Sequence, residues 1–462
     1  MQQLSSTIAA NRFGLGSRPG ELASIGGDGR DWLRAQLQHA PPAIANAQLA
    51  SSAEVLGEAL ALQREIQRAR RSGNDVQQKL PQFLKPIYQG EATARFQQAV
   101  MTDRPFIERL TQFWTNHFAV SIDKQFMAGL AGSFEREAIR PRVLGNFGDL
   151  LVAAEMHPAM LLYLDNHLSV GPHSPAAIKA EFRRRGGNNR PPGINENLGR
   201  EILELHTLGV GGGYTQYDVT SFATVITGWS VGGGNGLWAS GPPGRFVFRP
   251  DQHEPGIKTV LGRKYGDKGY EQGVEVLNDL AQHPSTARHI ATKLARHFIA
   301  DDPLPAAVER LAQAFTEFGG DLPSVYRVLI NTPEAWEQPL GKYKTPSDFI
   351  VSSYRGLTLP VDPAHGPLAP FELLGQRTWQ PGSPAGWPDR SADWDGASAL
   401  LKRVEWADAV GGRLGSRRNA AELAPQLLGA NLTDATGTAI ARAASAQQAV
   451  TLLLAAPEFM RR

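Results

Sequence analysis

The chain has 462 residues, 42% of them hydrophobic and 20% charged, with a net charge of +2. That size allows one large core or two to three ordinary domains, and so even a charge balance argues against a polyanionic partner such as nucleic acid. The lack of cysteine excludes disulfides, thiolate metal sites and a cysteine nucleophile, and no apolar run reaches the ~18 residues a membrane span needs.

Residues 1–23 show no basic segment followed by an apolar one, as expected of a cytoplasmic chain or of a periplasmic one whose leader has been removed. Helical periodicity then dominates. Apolar residues recur at three to four over 31–38, 91–101, 104–118 and 149–164. Ser51-x-x-Glu54 reads as a capping box opening a helix to Arg71, and Thr215-x-x-Asp218 as another, opening the run to Trp229. Asn195 and Gly209 bracket a central helix as N-cap and C-terminal glycine. Thr332-Pro333 and Thr345-Pro346 place a cap before proline at a first helical position, and helical patterns return over 394–414 and 445–456. Strand signals are confined to 245–248 (RFVF) and 258–261 (KTVL). The basic runs Arg68–Arg71 and Arg183–Arg185 read as solvated faces. Two composition shifts, the polar stretch 183–192 and the proline-rich stretch 359–370, look like loops or boundaries. The expectation is a mostly α, multi-helical fold with one small β-hairpin-like excursion. Its main domain is 1–358, with a helical C-terminal extension, 359–462, packed on it.

Chemistry concentrates around the central helix. At ~100° per residue, Asn197, Arg200, Glu201 and Glu204 share one polar stripe, with Leu198, Ile202 and Leu205 on the neighbouring apolar one. The stripe could line a cleft in which Glu201 or Glu204 acts as acid or base. Equally, Glu196–Arg200 and Arg200–Glu204 are ordinary i,i+4 pairs of a solvated face. Three carboxylate-x-histidine pairs occur: Asp165/His167, Glu204/His206 and Asp251/His253. Extended chain points such a pair the same way and helix does not, so Asp251 and His253 fit a shared divalent metal ion better than Glu204 and His206. His117 is a fourth candidate imidazole, although His117 and His206 also suit a buried, hydrogen-bonded core role.

Two motifs fail on context. Gly228-Trp229-Ser230-Val231-Gly232 matches G-x-S-x-G, but a helix precedes it where a nucleophile elbow requires a strand. The glycine runs 211–213 and 232–234 lack the Gly-Lys-Ser/Thr of a phosphate loop. Aromatics at Trp229, Trp238, Phe246 and Phe248, and later at Trp379, Trp387 and Trp394, suit a sugar-like ligand or the filling of a core.

The string NENLGREILELHTLGV (195–210), continued by GGGYTQYDVTSFATVITGW to Trp229, resembles the signature of the bacterial domain-of-unknown-function 1800 family. Further matching pieces are FWTNHF (113–118), YLDN (163–166), FVFRPDQHEPGIKTVLG (246–262), HPSTARHIATKLARHF (283–298), KTPSDFIVSSYR (344–355) and LGQ…GWPD…W (374–394). The resemblance spans nearly the whole chain. It implies a bacterial, often exported protein and supplies no reaction. Glu254 departs from the aspartate that relatives place after the motif histidine, which puts metal geometry at His253 in doubt. The signature's concentration on the central helix favours a site there. The reading is a hydrolase-like enzyme acting on a small polar or glycan-like ligand. Glu201 and Glu204 supply acid or base, Arg200 orients them, and His117 and Asp165 complete the catalytic set. Asn166, Asn195, Asn197, Tyr214, Trp229 and Lys258 are binding candidates, and His253, Asp251 and His206 candidate metal ligands. The alternative is a non-catalytic binding or accessory protein whose motif residues form a buried structural network.

Overall fold

The computed structural model of the chain describes residues 2–44, 49–72, 79–184, 193–234, 239–337, 340–362 and 368–462. Trp238 and most of the polar stretch 183–192 lie outside them. The fold is mostly α, with two small antiparallel sheets. Among the described residues, no helix is long and apolar enough to cross a membrane.

Both capping boxes form. Ser51 and Glu54 open the helix Ser52–Arg71, and Thr215 and Asp218 open Gln216–Val225. The helix Pro105–His117 runs through the core with Phe106, Ile107, Leu110 and Trp114 sealed from solvent, and Trp114 Nε1 donates to the Tyr326 hydroxyl at 2.6 Å. Around it gathers a large apolar cluster reaching from Ile8 to Trp379. A second cluster joins Leu15, Phe96 and Phe349 to C-terminal helices, among them Ala397–Leu414 and Ala446–Ala455.

Buried ion pairs cross this core. Arg140 contacts both oxygens of Glu108 (2.6 and 2.8 Å) and Glu135 (2.9 Å). Asp348 is held between Arg109 (3.0 Å) and Arg462 (2.8 Å). Each tethers segments far apart in the chain.

Two helices depart from the expected pattern. The run 149–164 is broken at His157 into Phe147–Glu155 and Pro158–Tyr163. Pro158 has no N–H to continue the first helix; it opens the second, capped by His157 Nδ1 accepting from Ala159 N at 3.1 Å. The central segment starts as expected, Asn195 Oδ1 accepting from Asn197 N at 2.9 Å, but is α only over Asn197–Glu201. It continues as a π-helix over Ile202–His206 and stops at Gly209, whose φ is +84°.

The β excursion is two sheets rather than one hairpin. Strand β1 (Trp229–Val231) pairs with β2 (Phe246–Phe248), and β3 (Lys258–Val260) with β4 (Arg263–Tyr265). The second pair closes through Leu261 and Gly262, both at positive φ (49° and 76°), the geometry a two-residue hairpin turn requires. Trp229 is wholly buried against the helix Tyr270–Ala281, where a Cβ on Gly273 would come within 2.3 Å of its indole. Gly273→Ala is therefore expected to cost about 1–3 kcal/mol by overpacking, although alanine is the better helix former. A thermal melt checks this, and an unchanged midpoint would show that the indole can move aside.

Candidate functional site

Asn197 and Glu201, one turn apart on the central helix, line an open outer cleft. Facing them are Asp123 and Lys124 from the loop after Pro105–His117, and Tyr163 from the end of Pro158–Tyr163. Desolvation raises the Glu201 carboxyl above its ordinary value; His206 opposes the shift and Glu204 reinforces it. Burial likewise pushes the Tyr163 phenol up to about 12, helped by Glu201 and Asp123. Asp123 accepts from Ser121 Oγ (2.9 Å) and Gln380 Nε2 (2.6 Å), and Asp165, in left-handed backbone at φ +59°, pairs with Lys124.

The rest of the polar stripe diverges. Arg200 turns to Glu196 (2.9 Å) and Gln216 (3.0 Å), and Glu204 bonds the Tyr214 hydroxyl, whose pKa rises through desolvation and that carboxylate. Beyond the π turn, His206 is fully buried with Nδ1 2.8 Å from Glu155 Oε1, equally buried. Helix ends leave carbonyls without intrahelical partners, and two imidazoles serve them here. His117 Nε2 donates to the carbonyl of His206 (3.1 Å) and His289 Nε2 to that of Leu205 (3.0 Å).

The candidates on the β side hold backbone. Asn166 Nδ2 donates to the carbonyls of Ile226 (3.1 Å) and Trp229 (3.0 Å). The Lys258 ammonium donates to the carbonyls of Glu254 and Gly256, and burial lowers its pKa. His253 Nδ1 donates to Thr227 O at 3.0 Å, while Asp251 is exposed. Glu254 reaches His173, accepting from its N–H (2.8 Å) and lying 2.7 Å from its Nδ1. Asp251, His253 and His206 are not brought together, and among the described residues no group of three or more His, Asp or Glu is placed to hold a metal ion. Ser230 is buried and donates to the carbonyl of His167 (3.1 Å), as suits a structural serine.

Sequence reasoning missed an inner cavity of about 320 Å³ next to the cleft. It is built from four of the stretches that carry the resemblance: around 112–117, Lys293 to His297, Thr345 to Asp348, and the loop from Gln376 to Asp393. That loop is pinned by Ile122 N donating to Trp379 O (2.9 Å) and by the Asn116 amide, which bonds both N (2.7 Å) and O (2.9 Å) of Trp387. Pro381, between these anchors, lines both cavity and cleft. Helical spacing held the missed signal, since His289, Lys293 and Arg296 stand at i, i+4 and i+7 on Pro284–Phe298.

Neither the curated proteins nor the solved structures contain a detectable match to this sequence. A family model does match, over residues 8–461, which takes in the helical core, the outer cleft and the inner cavity alike. The chain belongs to the family described as protein of unknown function (DUF1800).

Proposed function

We propose that the protein is a hydrolase-like enzyme that uses acid–base chemistry on a small polar, glycan-like substrate in the outer cleft, with Glu201 as proton donor. The observation that carries this reading is the half-buried Glu201 carboxyl, raised by desolvation while it lines an open cleft beside Asp123. A carboxyl kept protonated nearer neutrality is what a general acid requires. Asp123 is the second carboxylate, and a pair of carboxyl groups suffices to cleave a glycosidic bond. Asn197, Tyr163 and Lys124 supply hydrogen bonds for a substrate.

The test is turnover of a panel of chromogenic glycosides and esters by wild type and Glu201→Gln. The variant is expected to lose about 10²–10⁴-fold in kcat with its melting temperature unchanged. Full activity in Glu201→Gln would end the carboxylate role.

A second reading, a binding or accessory protein, is favoured by a different observation: His206 and Glu155 are both fully buried and pair with each other rather than facing the cleft. It expects ligand binding without turnover, and Glu155→Ala to act on stability alone.

A further inference from the structure

Four nitrogen atoms of residues lining the inner cavity are buried and have no hydrogen-bond partner among the described residues: Gln112 Nε2, His117 Nδ1, His297 Nε2 and Trp379 Nε1. They divide by chemistry. The Gln112 amide and the Trp379 indole offer N–H. His117 has committed its Nε2–H to the carbonyl of His206, and His297 its Nδ1–H to Asp389 (3.1 Å). The remaining nitrogen of each neutral ring therefore offers a lone pair. Burial keeps both rings neutral, lowering His297 to about 4 and His117 well below its ordinary value.

Charge on the wall is unbalanced. Lys293 lines the cavity with no hydrogen-bond or ion-pair partner among the described residues. Arg296, on the same helix, donates only to the main-chain oxygen of Asp301 (3.2 Å). Nearby carboxylates are already engaged: Asp348 by Arg109 and Arg462, and Asp389 by His297 (3.1 Å), Lys342 (3.6 Å) and Arg462 (3.4 Å). Asp393 is exposed. The other lining guanidinium groups are matched, Arg95 to Glu135, Arg377 to Glu372 and Arg390 to Asp302.

An inorganic anion would satisfy the two cations and leave imidazole lone pairs against its oxygens. A neutral sugar would use the donors and acceptors and leave the ammonium without counter-charge. A molecule carrying both a carboxylate and hydroxyl groups meets every group. We infer that the inner cavity binds a small hydroxylated organic acid with the chemistry of a single uronic acid. Lys293 and Arg296 take its carboxylate, and Gln112, His117, His297 and Trp379 take its hydroxyls. The volume falls within the range of small-molecule sites, and Phe113, Trp379 and Trp387 offer apolar faces to a ring. This names a substrate class for the proposed function and rests on that reading only for a link to Glu201, through the shared wall residue Pro381.

Binding is linked to protonation. Desolvation holds Lys293 down to about 8, with Asp389 raising it and Arg296 lowering it, and Lys293 in turn faces His117 and His289. A bound carboxylate favours the ammonium. Affinity is therefore expected to be flat below about pH 8, and to fall up to about tenfold per unit above it as the amine loses its proton.

The experiment is titration calorimetry of the full chain with D-glucuronate, D-glucose and inorganic phosphate, repeated on Lys293→Gln, Lys293→Arg and Glu201→Gln. Expected are saturable glucuronate binding, glucose weaker by about tenfold or more, and no competition from phosphate. Lys293→Gln should lose about tenfold in affinity, with Lys293→Arg retaining most of it and so controlling for misfolding. Equal binding of glucose and glucuronate, binding of phosphate alone, or no saturation by about 10 mM glucuronate each overturns the inference. Glu201→Gln should bind glucuronate as wild type does. If it does so and keeps full activity, the cavity stands and only the Glu201 chemistry falls.

Discussion

Replacing Arg140 by methionine is expected to lower the unfolding free energy by about 3–5 kcal/mol, read from urea denaturation. Its guanidinium is buried between Glu108 and Glu135, both almost fully sealed from solvent. Although desolvation works against the charge, those two carboxylates raise the Arg140 pKa above its ordinary value. Without it, Glu135 keeps Arg95 at 2.6 Å, but Glu108 keeps no cation among the described residues. The cost is thus that of stranding one buried charge more than of losing an attraction. A double variant, Arg140→Met with Glu108→Leu, removes the stranded carboxylate and should recover at least half of the loss. A single-variant cost under about 1 kcal/mol, or a double variant worse than the single, would show that water reaches the cluster.

Acidification is expected to cost nearly as much through two histidines. His289 and His297 are each lowered from 6.5 to about 4, chiefly by desolvation, with Lys293 adding to the shift of His289 and Asp389 opposing that of His297. Between those values the unfolded chain binds protons that the folded protein does not. Their contribution is therefore complete above about pH 6.5, falls through the window, and is gone below about pH 4. Each ring is worth roughly 3 kcal/mol at most, less in proportion to its residual exposure. Depressed carboxylates such as Glu137, at about 2, act in a separate range, being lost only as pH falls below their ordinary 4.5. Melting temperatures between pH 6.5 and 4 should therefore slope downward, and His297→Asn should flatten the slope. A flat wild-type profile across that window would refute the assignment.

Helix starts were legible because they are local: a capping box is written in four residues, and Ser51 and Thr215 behave as their neighbours dictate. The break at His157 was legible in principle from Pro158. Strand pairing was not, because the partner of 246–248 lies at 229–231, in residues whose sequence continues a helical pattern, and because Leu261 is an unusual residue for positive φ. In the site, the stripe pointed to Asn197 and Glu201 correctly as neighbours lining one cleft. The departures of Arg200 and Glu204 depend on Gln216 and Tyr214, which only the tertiary fold brings near. The inner cavity was hardest to read, since its wall combines four distant segments and its character lies in nitrogen atoms that lack partners, which no residue pattern records.

The π turn at Ile202–His206 has an evolutionary and engineering consequence. Such a turn holds one residue more than an α-helix accommodates, so the chain carries there the equivalent of a single-residue insertion. Removing Leu203 would let the segment relax to an uninterrupted helix while rotating everything after it by about 100°. The carbonyls of Leu205 and His206 would then turn away from His289 and His117, and the imidazoles that meet them would lose their anchors. Length between Glu201 and His206, more than residue identity, is what a designed variant must preserve to keep cleft and cavity facing each other.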